Sequence, residues 1–237
     1  MWQGLFHNVS EAEKNTAVEG IIQHATPRQD FFLMLILSVS MAAFGLLLNN
    51  MVILVGSMLI APLLYPILSF ALGVIVADDK LIGRSFYTLL KSVVYALAAA
   101  FIIGFFFSAH DTSVIVPFTI AGSPASSLMY AVVAAIAGFA GAFAMTKPYL
   151  NESLPGVAIS VALVPPLAEA GVALSSFDWA LFSSSLLLFL VNIIGIVFSA
   201  MIVFALLRFS VKKTVAEVAI KEEDKVIKKE EQKPPAA

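Results

Sequence analysis

Leu59-Ile60-Ala61-Pro62-Leu63-Leu64 and Leu163-Val164-Pro165-Pro166-Leu167-Ala168 are two versions of one apolar phrase, about 104 residues apart, each inside a hydrophobic stretch of membrane length. Proline has no backbone N–H and frees the carbonyl four residues before it, so each phrase is expected to break its helix far from water. In lipid such a break is tolerated only where protein packs it or where it lines a cavity. Paired Pro-interrupted spans in two halves of a chain point to a transporter-like site near the membrane midplane.

The composition around the phrases sets the class. With 60% hydrophobic and 13% charged residues in 237, and a mean hydropathy of +0.95, a soluble globule is excluded. Six apolar runs approach the roughly 20 residues that cross a bilayer: Phe31–Leu48, Met51–Val76, Phe86–Phe107, Leu128–Met145, Leu154–Leu174 and Trp179–Leu207. The expectation is an all-α bundle. The first thirty residues are polar, so no cleavable leader is expected. Cysteine is missing, which removes disulfides and thiolate metal sites.

Charge placement orients the bundle. With the N-terminus inside, Lys14, Arg28, Lys80, Arg84, Lys91, Lys147, Arg208 and the tail lysines all fall on the cytoplasmic side. The connections around Asn49–Asn50, Phe107–Ser127 and Ser175–Asp178 contain no Lys or Arg. Both termini are therefore expected in the cytoplasm, with the bundle in the cell inner membrane. Lys91, about a turn inside the third span, is placed to snorkel to the headgroups.

Three crossings separate Pro62 from Pro166, and an odd number makes the two phrases run in opposite directions. The natural unit is three plus three helices in an inverted repeat, with helices 2 and 5 Pro-broken. Asn49–Asn50 before the second span match Asn151–Glu152 before the fifth, and Asp78–Asp79 match Asp178. Chance recurrence in so biased a composition is the plainer alternative. For the acidic pair Asp78–Asp79, a helix-capping turn is favoured over a metal site.

Residues 1–30 read as a cytoplasmic amphipathic segment, 31–209 as the transmembrane domain and 210–237 as a charged cytoplasmic tail. Trp2, Leu5, Phe6 and Val9 have the spacing of a short interfacial helix. Ser10 with Glu13 forms a capping box for a second helix carrying Val18, Ile21, Ile22 and Ala25, ended by Thr26–Pro27. The tail, with Lys alternating with Glu and Asp before Lys-Pro-Pro-Ala-Ala, reads as a solvated helix followed by disorder. Its mixed signs argue against nucleic acid as a partner. In span four Ala134, Ala137, Gly138, Gly141 and Ala142 make a small-residue stripe for close packing, within the protomer or in a homo-oligomer. The apolar connection His110–Ser127 is a candidate lid.

GSMLIAPLLYPI at Gly56–Ile67, DDKLIGRS at Asp78–Ser85, and LPGVAISVALVPPLAEAGVAL at Leu154–Leu174 with Asp178–Trp179 and Asn192 resemble the family catalogued as domain of unknown function 389, prokaryotic hydrophobic membrane proteins. The resemblance spans about Phe31 to Phe209 and implies architecture, with no settled activity. Relatives often carry Arg-Thr-Ser-Pro where this chain has Ala121-Gly122-Ser123-Pro124, and a small apolar residue where it has Glu169.

No HExxH or GxSxG pattern occurs, and the three histidines His7, His24 and His110 form no ligand spacing, so catalysis, cofactors and a metal site are not expected. The polar inventory at depth is short. Asn192 suits either an interhelical hydrogen bond or a solute path, while Ser57 and Ser160 can bond back to their own helices. Glu169, a carboxylate in an apolar span, should face a cavity, a partner or the outer interface. The expectation is a transporter or channel for a small solute or ion, with its path between helices 2 and 5. Its binding set would be Ser57, Met58, Pro62 and Pro66 from the first phrase, Val161, Ala162, Pro165 and Pro166 from the second, and Glu169 and Asn192. A membrane scaffold or sensor acting through its tails is the competing class.

Overall fold

The computed structural model describes residues 10–108, 124–147 and 153–231, with side chains described in these ranges except at 108, 124–128, 153–159, 161 and 228–231. The interfacial helix expected at Trp2–Val9, the lid segment His110–Ser123, Asn151–Glu152 and the closing Lys-Pro-Pro-Ala-Ala lie outside those residues.

Every regular element among the described residues is helical: α1 Glu11–His24, α2 Gln29–Leu47, α3 Met51–Met58, α4 Leu64–Val76, α5 Asp79–Ser108, α6 Pro124–Ala144, α7 Ser153–Ser175, α8 Trp179–Leu206, a 3-10 turn Phe209–Lys212 and α9 Lys213–Glu231. Helices α2, α5 and α8 are long and apolar enough to cross a membrane, and shorter apolar stretches run over Leu64–Val76, Met129–Ala144 and Ala162–Ser175. This is an all-α membrane protein. Phe86, Leu90 and Val94 of α5, with Leu187, Leu190, Ile194 and Phe198 of α8, are large, apolar and exposed, as lipid-facing surfaces are.

Three interhelical turns use one device. Asn49, Ala77 and Phe177 adopt φ of 49°, 52° and 57°, and the next residue's N–H reaches back to a carbonyl: Asn50 to Gly45 at 2.8 Å, Asp78 to Gly73 at 3.0 Å and Asp178 to Ala173 at 3.0 Å. That same residue then caps the following helix. Asn50 Oδ1 accepts from the N–H of Val52 and Ile53, Asp78 Oδ1 from Leu81 and Asp178 Oδ1 from Leu181. Asp78 is thus a helix cap.

The two Pro phrases fold differently. Span two breaks as expected: α3 stops at Met58 and α4 begins at Leu64. Span five does not break, because α7 runs on through Pro165 and Pro166. The reason lies in register. Helix α5 buries Ser85, Thr88, Leu89, Ser92, Ala96, Ala99 and Ala100, and α8 buries Ser185, Leu188, Phe189, Asn192, Ile196, Ser199 and Ala200, the same pattern 100 residues on. At that displacement, rather than 104, Pro66 falls on Pro166 and Pro62 falls on Ala162. The residue that breaks span two therefore has no proline counterpart in α7.

Close approach fixes the packing of α6 on α8. A Cβ added to Gly138 would stand 2.7 Å from Ile196 Cα, and one on Gly195 3.2 Å from the Ala131 carbonyl oxygen. The small-residue stripe thus joins two helices of one chain.

One end of the bundle is capped by α1 and α9. The capping box forms, with Ser10 N–H donating to Glu13 Oε2 at 2.6 Å and Glu13 N–H to Ser10 Oγ at 3.2 Å. Val18, Ile21, Ile22 and Ala25 are buried as expected. The tail is not a solvated helix: Ala216, Ala219 and Ile220 are buried, and Glu223 pairs with Arg28 at 2.9 Å. Arg84 pairs with Asp224 at 2.7 Å and Lys212 with Glu11 at 2.6 Å. Arg84 near the start of α5 and Lys212 just beyond α8 both lie at this end, so α5 and α8 run in opposite directions.

Candidate functional site

The break between α3 and α4 is assembled from its own backbone and from neighbouring helices. Ser57 Oγ donates to Leu54 O at 2.6 Å, and Ser57 O accepts from Ser38 Oγ of α2 at 2.8 Å and from Ile60 N–H at 3.2 Å. Ser57, expected in the binding set or bonded back to its own helix, takes the back-bond and closes the helix end. Pro66 is the third residue of α4, in the first turn, where its missing N–H would have had no intrahelical partner. Met58 is buried at the end of α3.

Pro62 lines a recess of about 340 Å³ with Ile60, Tyr65, Phe31 and Met34, and Gln23, His24, Thr26, Arg28 and Asp30 give it a polar rim. The rim lies at the α1–α9 end, and the His24 ring stacks on Tyr65 at 4.6 Å. Among the residues of the expected set whose side chains are described, Pro62 alone borders this recess. Helix α7 touches the break from the other side, where Ser160 Oγ donates to Ala61 O at 3.3 Å. Ser160 thus reaches across to another span, which a sequence separation of 99 residues conceals.

Two polar rungs join α7 to α8. Asn192 Nδ2 donates to Ala162 O at 2.7 Å, and Ser185 Oγ donates to Glu169 Oε2 at 2.8 Å. Pro166 takes away the donor that Ala162 O would meet in a regular helix, and Asn192 supplies it from α8, so α7 continues intact. Glu169 has 0% exposure, so its carboxyl is enclosed by protein. Pro165 and Pro166 are buried with it, and Val161 belongs to the α7 backbone. Asn192 has 1% exposure, and its Oδ1 has no hydrogen-bond partner among the described residues.

The corresponding pair of helices is plainer. Ser85 Oγ donates to Ser69 Oγ at 2.8 Å, in register with Ser185 and Glu169. Ser92, in register with Asn192, donates to Thr88 O of its own helix at 2.7 Å and so does not cap Pro62.

Lys91, expected to snorkel, lies over the rings of Phe32 at 4.7 Å and Tyr95 at 5.6 Å. At the capped end the hydrogen bond from Lys212, helped by Lys14, holds the Glu11 carboxyl down at about 2. The Glu13 carboxyl is also lowered, first by the Ser10 N–H and then by the Ser10 hydroxyl. Among the described residues no cluster of three or more His, Asp or Glu is arranged to hold a metal ion.

Residues 58–198, which hold the break, both rungs and the Ser69–Ser85 pair, match the family Domain of unknown function (DUF389). The chain belongs to the DUF389 family. It is also 33% identical over 175 residues to the uncharacterized protein MJ0678 of Methanocaldococcus jannaschii, covering 73% of this chain and 52% of that protein. The chain thus spans about half the length of this curated relative. No solved structure matches it.

Proposed function

We propose that this DUF389 protein is a transporter or channel for a small solute or ion, without catalysis of its own, with a path between the broken span two and α7. The observation that carries the reading is the recess that reaches Pro62 from the capped end, at a helix break buttressed by Ser160 of α7. Irregular backbone at membrane depth is tolerated where it lines such a cavity. The architecture proposed is six crossings in an inverted three-plus-three repeat, in the inner membrane with both termini cytoplasmic. The shared register of the antiparallel α5 and α8 supports it, as do the matched caps Asp78 and Asp178. The exposed side of α6, with Met129, Val132 and Ile136, faces lipid or a second copy in a homo-oligomer.

The docking of α1 and α9 on one end favours a second reading, a scaffold or sensor whose tails carry the interaction. Thiol accessibility separates the two. On the transport reading Ile60→Cys is modified by an impermeant reagent in inside-out vesicles and spared in intact cells, while Asp178→Cys behaves the opposite way. An Ile60→Cys thiol that no reagent reaches from either side contradicts the path.

A further inference from the structure

We infer that Asn192 is a ligand for an alkali cation held inside the membrane between α7, α8 and the break of span two; this rests on the transport reading. Asn192 is buried in the middle of α8, and its amide is oriented by chemistry: turning it over would set Oδ1 against Ala162 O at 2.7 Å, two acceptors face to face. With Nδ2 committed to Ala162, Oδ1 is an acceptor with no donor among the described residues. A buried acceptor left in that state is costly, so the site is suited to something that arrives from outside the fold.

The surroundings select the class of ligand. Pro165 removes the N–H that Val161 O would accept within α7. Ser160, which could donate nearby, is bonded to Ala61 O. The unpartnered group is thus an oxygen acceptor, with a second proline-freed carbonyl in the facing helix α7, which suits a weakly hydrated cation coordinated by carbonyl and amide oxygens, and works against an anion. The corresponding position in the other half carries Ser92, whose hydroxyl turns back on its own helix, so the ligand belongs to the α7–α8 half.

The test uses purified full-length protein in nanodiscs, with Tm measured in matched NaCl, KCl and choline chloride. A bound cation stabilises the folded state by mass action, so Na+ or K+ should raise Tm above choline in the wild type. Asn192→Leu should lose that difference, and Asn192→Asp should keep it at lower salt. Equal Tm in all three salts for the wild type, as a resident water would give, overturns the inference, and so does an undiminished cation effect in Asn192→Leu. Cation flux into vesicles is read separately. Flux with cation-independent Tm would leave the transport reading and remove this site, whereas cation-dependent Tm without flux would do the reverse.

Discussion

The α4–α5 and α7–α8 pairs bury their residues in one register and cap their turns in one way, yet they treat a Pro-freed carbonyl differently. In α7–α8 the carbonyl of Ala162 is taken by Asn192 and the helix continues. In α4–α5 the matching side chain is Ser92, bonded to Thr88 of its own helix, and the preceding helix ends before Pro62. One half is closed by a side chain and the other is left open to a recess. On the proposed inverted repeat, a similar backbone frame with two polar fillings would let the two halves keep their packing while taking different tasks.

The largest expected effect comes from copying the open half onto the closed one. Ala162→Pro gives α7 the proline of span two and removes another N–H from an intact helix, which should destabilise the protein by about 3 kcal/mol or more. Unfolding in mild detergent measures it. A loss below about 1 kcal/mol would mean that α7 is already as discontinuous as span two, and the contrast would collapse.

A smaller effect separates the matched polar residues. In a cation-containing buffer Asn192→Leu leaves the Ala162 carbonyl buried without a donor and should cost about 1–3 kcal/mol. Ser92→Ala removes only a bond back to its own helix and should cost under about 1 kcal/mol. Equal losses would erase the distinction between the halves.

The smallest effect lies at the capped end and is read by titration. Glu11 is held at about 2 against an ordinary 4.5. A depressed carboxylate contributes stability that is present above 4.5 and lost as pH falls through about 2. Lys212→Ala removes the largest cause, so the Glu11 titration should move up toward its ordinary value, and amide protection in α1 should begin to fall at a higher pH. An unmoved titration would place the cause with Lys14.

Much of this fold was legible in the chain. Strong apolar runs located the helices, the Ser10–Glu13 spacing gave its capping box, and Asp78 and Asp178 sat where turns needed caps. The break at Pro62 followed from chemistry local to proline. What misled was matching Pro62 to Pro166 by the look of the phrase: the burial register pairs Pro66 with Pro166, and burial is a property of packing, not of letters. The continuity of α7 depends on Asn192, thirty residues away, and no local rule predicts a donor from another helix. The tail misread for a similar reason, because its charges hid the stripe Ala216, Ala219, Ile220 and Glu223 that docks on the bundle. Of the two serines expected to bond back to their own helices, Ser57 does so, to Leu54 O, whereas Ser160 crosses to Ala61 O, a contact that only the packing of α7 on span two creates.

The claim that the break at Pro62 forms the path is tested most directly by Pro62→Ala in sealed vesicles, with alkali-cation flux read by an internal indicator and amide exchange read over residues 59–64. Restoring the N–H lets α3 run on into α4, so the amides should gain protection and flux should fall to that of protein-free vesicles while the bundle stays folded. Undiminished flux in a variant whose amides have become protected would contradict the account.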